Sequence, residues 1–129
     1  MPNQQYKNLI EHGRRLMTQG HLDEAVVRFH EASKINPMGC FAYVCLGTIY
    51  FRRSMYMEAI DYFTRAIQLR PRIVDIRYLR GLSYGRNGDY ELAEEDFRSV
   101  LKVKPHVRAA RGLEAAETNR LLTARKSEK

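Results

Sequence analysis

The side chains able to act as bases, nucleophiles or metal ligands in this chain of 129 residues are few and scattered. Its four histidines, His12, His21, His30 and His106, have no nucleophile or second metal ligand at a useful spacing. His12 stands where a later repeat has leucine, so it reads as a packed histidine rather than a base. Cys40 and Cys45 lie five apart, which on one helix points them to different sides and disfavours a bridge between them. They lack the four-ligand pattern of a zinc site and are expected to be free, partly buried thiols in a reducing compartment. Asp23-Glu24 and Glu94-Glu95-Asp96 read as solvated carboxylates on helix surfaces. No glycine loop follows a strand to cradle phosphate. Neither catalysis, nor a cofactor, nor a metal is expected. Arginine, by contrast, recurs in register: Arg52, Arg86 and Arg120 stand 34 apart, and guanidinium groups in a row can fork onto carboxylates or phosphates.

The same 34-residue spacing orders the elements that must carry those arginines. Gly13, Gly47 and Gly81 line up, as do Ala25, Ala59 and Ala93, then Phe29, Phe63 and Phe97, then Pro37, Pro71 and Pro105. Helical spacing of apolar residues predicts helices over 3–18, 22–35, 40–53, 56–69, 74–87, 90–103 and about 108–125. Gly20, Ser54 and Asn87-Gly88 mark the short turns. Asn36-Pro37, Pro71 and Pro105 stop the second helix of each pair, because proline cannot donate the next hydrogen bond. A glycine inside a helix costs about 1 kcal/mol against alanine, so Gly13, Gly47 and Gly81 read as close-approach points, with the alanines facing them. Phe29, Phe63 and Phe97 are expected to fill the volume between neighbouring repeats, and Ala115 takes the glycine position in the last helix.

Tyr43, Leu46, Gly47, Tyr50, Ala59, Phe63, Ala66 and Pro71 together resemble the tetratricopeptide repeat signature. That resemblance covers about 6–107 and implies an all-α, right-handed α-solenoid of three helix-turn-helix repeats (about 6–39, 40–73 and 74–107). A seventh, capping helix over about 108–125 would cover the last apolar face through Ala109-Ala110, Leu113, Ala116 and Leu121-Leu122. The chain is then one domain over 1–126 with a frayed tail at 126–129. Arg77 and Arg80 depart from the signature at its aromatic and leucine positions; their stems are expected to pack while the charged heads reach water.

Composition fits a folded chain, with 44% hydrophobic and 29% charged residues. No apolar run approaches the roughly 18 residues of a membrane helix, so no membrane insertion is expected. The opening Met-Pro-Asn-Gln-Gln-Tyr-Lys has no apolar signal core, which predicts cytoplasmic residence, with the nucleus as alternative. Net charge is +7, and residues 102–129 alone carry eight Lys/Arg against three Asp/Glu. Such a basic piece is either a surface for an acidic partner or a solvated cap.

The resemblance implies a concave groove lined by the first helix of each pair. In this chain that gives Ile10, Arg14 and Met17, then Phe41, Val44, Thr48, Phe51 and Arg52, then Tyr78, Leu79, Leu82 and Arg86. An apolar strip rimmed by arginines suits a protein or peptide ligand with apolar and acidic residues. The expected function is therefore a non-catalytic protein–protein interaction adaptor or scaffold. Alternatives are a self-associating module or homo-oligomer, a subunit of a larger assembly, and a phosphate- or nucleic-acid-binding accessory; no nucleic-acid motif supports the last. Some members grip the acidic C-terminal tails of chaperones with a carboxylate clamp of Lys and Asn in the first repeat, Asn in the second, and Lys and Arg in the third. The matching positions here are Ile10, Arg14, Cys45, Asp75 and Leu79, which argues against a chaperone tail as ligand.

Overall fold

The computed structural model describes residues 2–127. Seven α-helices follow one another among them: α1 Pro2–Thr18, α2 Leu22–Ile35, α3 Cys40–Arg52, α4 Tyr56–Leu69, α5 Val74–Arg86, α6 Tyr90–Val103 and α7 Val107–Ser127. The all-α helical-repeat fold that the resemblance implies is the fold found. The expected ends of α7 differ: Lys126 and Ser127, read as frayed, continue the helix. No Gly or Pro after Gly112 breaks it, and Glu128 and Lys129 lie outside the described residues.

The three short turns are one turn repeated. Gly20, Ser54 and Gly88 stand at equivalent positions, 34 apart, and all have left-handed backbone, with φ of 83°, 61° and 86°. Around each, the next residue's N–H reaches back to a helix carbonyl: His21 to Leu16 at 2.8 Å, Met55 to Tyr50 and Asp89 to Tyr84 at 2.9 Å. This six-to-one closure satisfies carbonyls orphaned at the helix end and is the usual setting for glycine. Ser54 makes the same turn with a β-carbon, and so carries strain that Gly20 and Gly88 avoid.

The chain forms two compact units, Met1–Pro71 and Arg72–Lys129. The first holds α1–α4, and its core gathers Tyr6, Ile10, Leu16, Ala25, Phe29, Ala32, Ala42, Leu46 and Ile49. The Tyr6 hydroxyl accepts a hydrogen bond from the Ala42 N–H at 3.3 Å, which anchors α1 to the start of α3, and burial raises the phenol's pKa. The second unit holds α5–α7 around Val74, Ala93, Phe97, Val100, Ala109 and Ala116.

Close approach within each pair is glycine against phenylalanine. A β-carbon on Gly13 would lie 2.6 Å from Phe29 Cε1, one on Gly47 2.6 Å from Phe63 Cε1, and one on Gly81 2.8 Å from Phe97 Cε1. The phenylalanines, rather than the expected alanines, therefore face these glycines, and Phe29 also reaches the next repeat, sharing a core with Ala42, Leu46 and Ile49 of α3. In α7 the close-approach residue is Gly112, whose β-carbon would meet Phe97 Cζ at 2.6 Å, and not Ala115, which is exposed. Helix α7 covers the second unit through Ala109, Leu113 and Ala116. Ala110 is exposed, and Leu121 and Leu122, expected to help, stand 55% and 49% exposed.

Candidate partner-binding faces

Helix α3 of the first unit is apolar on both sides. Cys40, Ala42, Tyr43, Leu46, Gly47 and Ile49 are buried. On the other side Phe41 is 54% exposed, while Val44, Thr48 and Phe51 are half-buried at helical spacing and Arg52 is exposed. The Thr48 hydroxyl donates to the Val44 carbonyl at 2.8 Å, so its polar group is already satisfied within the helix. Phe51 packs edge-on against Tyr56, with ring centroids 5.5 Å apart. On α1, Arg14 is exposed and Met17 is half-buried against the core. Ile10 is not at the surface: at 7% exposure it belongs to the core with Ala42, Leu46 and Ile49, so no ligand reaches it without opening the unit. The Cys45 thiol beside this face is pushed up to about 11 by burial, with the Arg14 charge only partly opposing the shift. It is a protonated, packed group, and both cysteines are free.

In the second unit the predicted residues of α5 divide between two depressions. Tyr78 and Leu79 border one of about 550 Å³, with Lys104, Val107 and Arg108 across from them. Leu82 and Arg86 border a narrower slot of about 160 Å³ between α5 and α7. Beside the first, the Tyr78 ring lies 4.8 Å from that of His106. His106 is a helix cap: its Nδ1 accepts the Ala109 N–H at 3.0 Å, and its Nε2 lies 3.6 Å from Asp75 Oδ1. Lys104 approaches the same carboxylate at 3.7 Å, so Asp75 has a cation beside it rather than standing as a bare negative charge. Among the described residues no group of three or more His, Cys, Asp or Glu could hold a metal ion.

Two of the carboxylates read as solvated are buried. Asp96, 4% exposed, accepts from both Arg80 Nε and a terminal Arg80 nitrogen at 2.8 Å. Arg80 does not send its head to water as expected: it lies 5.6 Å from the Tyr84 ring, and the Asp96 hydrogen bonds raise its pKa further. The equivalent residues one repeat earlier are Leu46, Tyr50 and Tyr62, and there Tyr50 and Tyr62 stack at 5.4 Å. An ion pair with a ring beside it thus replaces an apolar and aromatic trio. Glu94, 3% exposed, accepts from Arg120 Nε at 2.8 Å. Arg98 lies 3.7 Å from its other oxygen and reaches Glu117 at 3.2 Å. Arg120 is therefore a strap between α7 and α6, not a rung of a ligand-facing arginine ladder. Glu95 stays exposed, as do Asp23 and Glu24.

Residues 41–73 and 74–107 match models of the tetratricopeptide repeat, and together these stretches make up more than half of the chain. The human protein DnaJ homolog subfamily C member 3 is 31% identical over 96 residues, covering 74% of this chain and 19% of that protein. The chain thus spans about a fifth of the length of the curated relatives it matches. The first TPR domain of human RPAP3 superposes with a TM-score of 0.87 at 21% identity, over 100% of both chains. The first TPR of Spaghetti (RPAP3) bound to the HSP90 peptide SRMEEVD gives 0.85 at 22%, over 89% of this chain and 92% of that one. At such identities the likeness is one of fold. No helix among the described residues is long and apolar enough to cross a membrane.

Proposed function

The chain belongs to the tetratricopeptide repeat family, and from that premise we propose that it is a non-catalytic interaction module that holds a segment of a partner protein. The observation carrying this reading is the outward face of α3. A helix that is apolar all round is ordinarily buried all round, yet Phe41 is 54% exposed and Val44, Thr48 and Phe51 are only half covered. Arg14 and Arg52 are exposed nearby in the sequence pattern and suit carboxylates flanking the bound apolar residues. The α5 residues Tyr78, Leu79, Leu82 and Arg86 supply a second surface of the same character in the other unit.

A structural neighbour holds an HSP90 peptide ending in Glu-Glu-Val-Asp. Here the positions of a carboxylate clamp hold a buried Ile10, Arg14, a protonated Cys45, Asp75 and Leu79, so Arg14 is the one cation among them. The proposed ligand is accordingly recognised by apolar side chains along its length rather than by a terminal carboxylate. Selecting peptides of random sequence on the immobilised full chain tests this. Binders are expected to be rich in Phe, Leu and Met with acidic flanks. They should lose affinity by at least about tenfold on Val44→Asp, with helicity and melting unchanged. Tighter binding of SRMEEVD than of any selected peptide, insensitive to Val44→Asp, would overturn the reading.

A further inference from the structure

The slot between α5 and α7 contains a glycine that packing does not explain. Gly81 and Gly112 have no room for a β-carbon against Phe97, but one on Gly85 would meet only Ala93 Cβ, at 3.9 Å. Gly85 is inside α5, where glycine weakens a helix relative to alanine, and it borders the slot. The equivalent residues of the earlier repeats, 34 and 68 positions before, are Phe51 and Met17. Both are large, and both are half-buried. The position that borders the slot therefore carries a large side chain in the other two repeats and none here.

The second repeat also shows what fits such a space. Phe51 packs edge-on against Tyr56, and the residue equivalent to Tyr56 is Tyr90, which lines the slot together with Gly85. The third repeat keeps one ring of the pair and lacks the other. At about 160 Å³ the slot has the size of a cavity that holds a phenyl ring, since an apolar cavity of about 150 Å³ takes up benzene. Arg86 and Asn119 stand at its edge; among the described residues that line it, Arg86 carries the charge and none is a carboxylate.

We propose that this slot is a binding site for one aromatic side chain of a partner segment, with an acidic residue next to it in sequence. The guest ring packs against Tyr90 as Phe51 packs against Tyr56, and the neighbouring carboxylate meets the positive field of Arg86. The site rests on the interaction-module reading above and names what one part of the bound segment must contain. Gly85 and Gly112 both border the slot, and its volume of about 160 Å³ leaves room for one flat ring.

The test is a titration of the isotope-labelled full chain with blocked dipeptides, followed by backbone amide chemical shifts. Acetyl-Phe-Glu-amide is expected to shift the amides of Gly85, Gly112 and Asn119 saturably at about millimolar concentration. Acetyl-Ala-Glu-amide should leave them in place, and acetyl-Phe-Lys-amide should bind several times more weakly. Gly85→Phe, which copies the second repeat, should abolish the shifts at Gly112 and Asn119. Ala115→Leu fills the slot from an exposed position on α7 and should do the same, so the outcome does not depend on one variant folding. Silence of the wild-type amides with acetyl-Phe-Glu-amide, or shifts that survive both variants, would overturn the proposal. If longer selected peptides then still bind through the α3 face, the slot alone is refuted; if none binds anywhere, the module reading falls with it.

Discussion

Breaking the Arg80–Asp96 pair should cost far more than a surface salt bridge, and replacing both partners should cost little. The side chains are 20% and 6% exposed, and two contacts of 2.8 Å join them in a fork. Removing one partner of a buried pair costs about 3–5 kcal/mol, whereas an exposed pair contributes about 0.2–1 kcal/mol. Asp96→Asn keeps the shape, removes the charge and leaves one acceptor. The Arg80 head also retains a narrow path to water, so the expected loss is about 2–3 kcal/mol. Arg80→Leu/Asp96→Tyr rebuilds the trio of the second repeat, with Tyr84 in the place of Tyr50, and should fall within about 1 kcal/mol of wild type. Urea melts followed by helical circular dichroism, on wild type, both single variants and the double variant, give the coupling energy directly. The single-variant losses should persist in about 1 M salt, because a buried pair is poorly screened. A loss below about 0.5 kcal/mol for Asp96→Asn, with no coupling in the cycle, would refute this account of the pair.

Other substitutions separate strain from packing. Ser54→Gly should stabilise the first unit by about 0.5–1 kcal/mol in the same melts, because it restores to the middle turn the residue that Gly20 and Gly88 supply. The two glycines of α5 should respond in opposite directions. Gly85→Ala gains helix propensity with space for its methyl and raises stability by about 0.5–1 kcal/mol. Gly81→Ala drives its methyl to 2.8 Å from Phe97 and lowers stability by about 1–2 kcal/mol. The Cys45 thiol, raised from 9.0 to about 11, should carry about a hundredfold less thiolate in the folded chain than in the unfolded chain near pH 8. A disulfide reagent at that pH should therefore label Cys45 slowly until urea is added. The linkage has the matching sign: stability from this group is complete below pH 9 and is lost as pH rises from 9 towards 11, a loss that Cys45→Ala should remove.

Periodicity exposed most of the fold because the same few contacts are made three times. Gly13 with Phe29, Gly47 with Phe63 and Gly81 with Phe97 hold one geometry, so their spacing alone locates six of the helices. The turns could have been read more closely: Ser54 stands at the position of Gly20 and Gly88, and that register already implies its left-handed backbone. Asp96 was legible too, though not from its neighbours Glu94 and Glu95. It falls in the helical stripe Ala93, Phe97 and Val100, so it must enter the core, and Arg80 at a leucine position supplies its partner. Glu94 has no such signal, because its burial depends on Arg120 reaching back from α7, 26 residues later. Ile10 shares its repeat position with Val44 and Tyr78, which are half-buried, and only the packing of α1 against α3 closes over it. The slot in the second unit was hidden for the opposite reason. Gly85 looks like an ordinary surface glycine until Phe51 and Tyr56 show what its position holds elsewhere.

Site-directed photo-crosslinking most directly tests whether the outward face of α3 holds a protein segment. A benzophenone amino acid is placed at Phe41 on α3 and, in a second variant, at Val27 on α2, where the native residues are 54% and 48% exposed. Similar exposure removes accessibility as an explanation for any large difference. With a selected peptide, the probe at position 41 should crosslink efficiently, competed by unlabelled peptide, and the probe at position 27 should remain at background. Equal crosslinking at both positions, or crosslinking at 27 alone, would contradict the assignment of binding to α3.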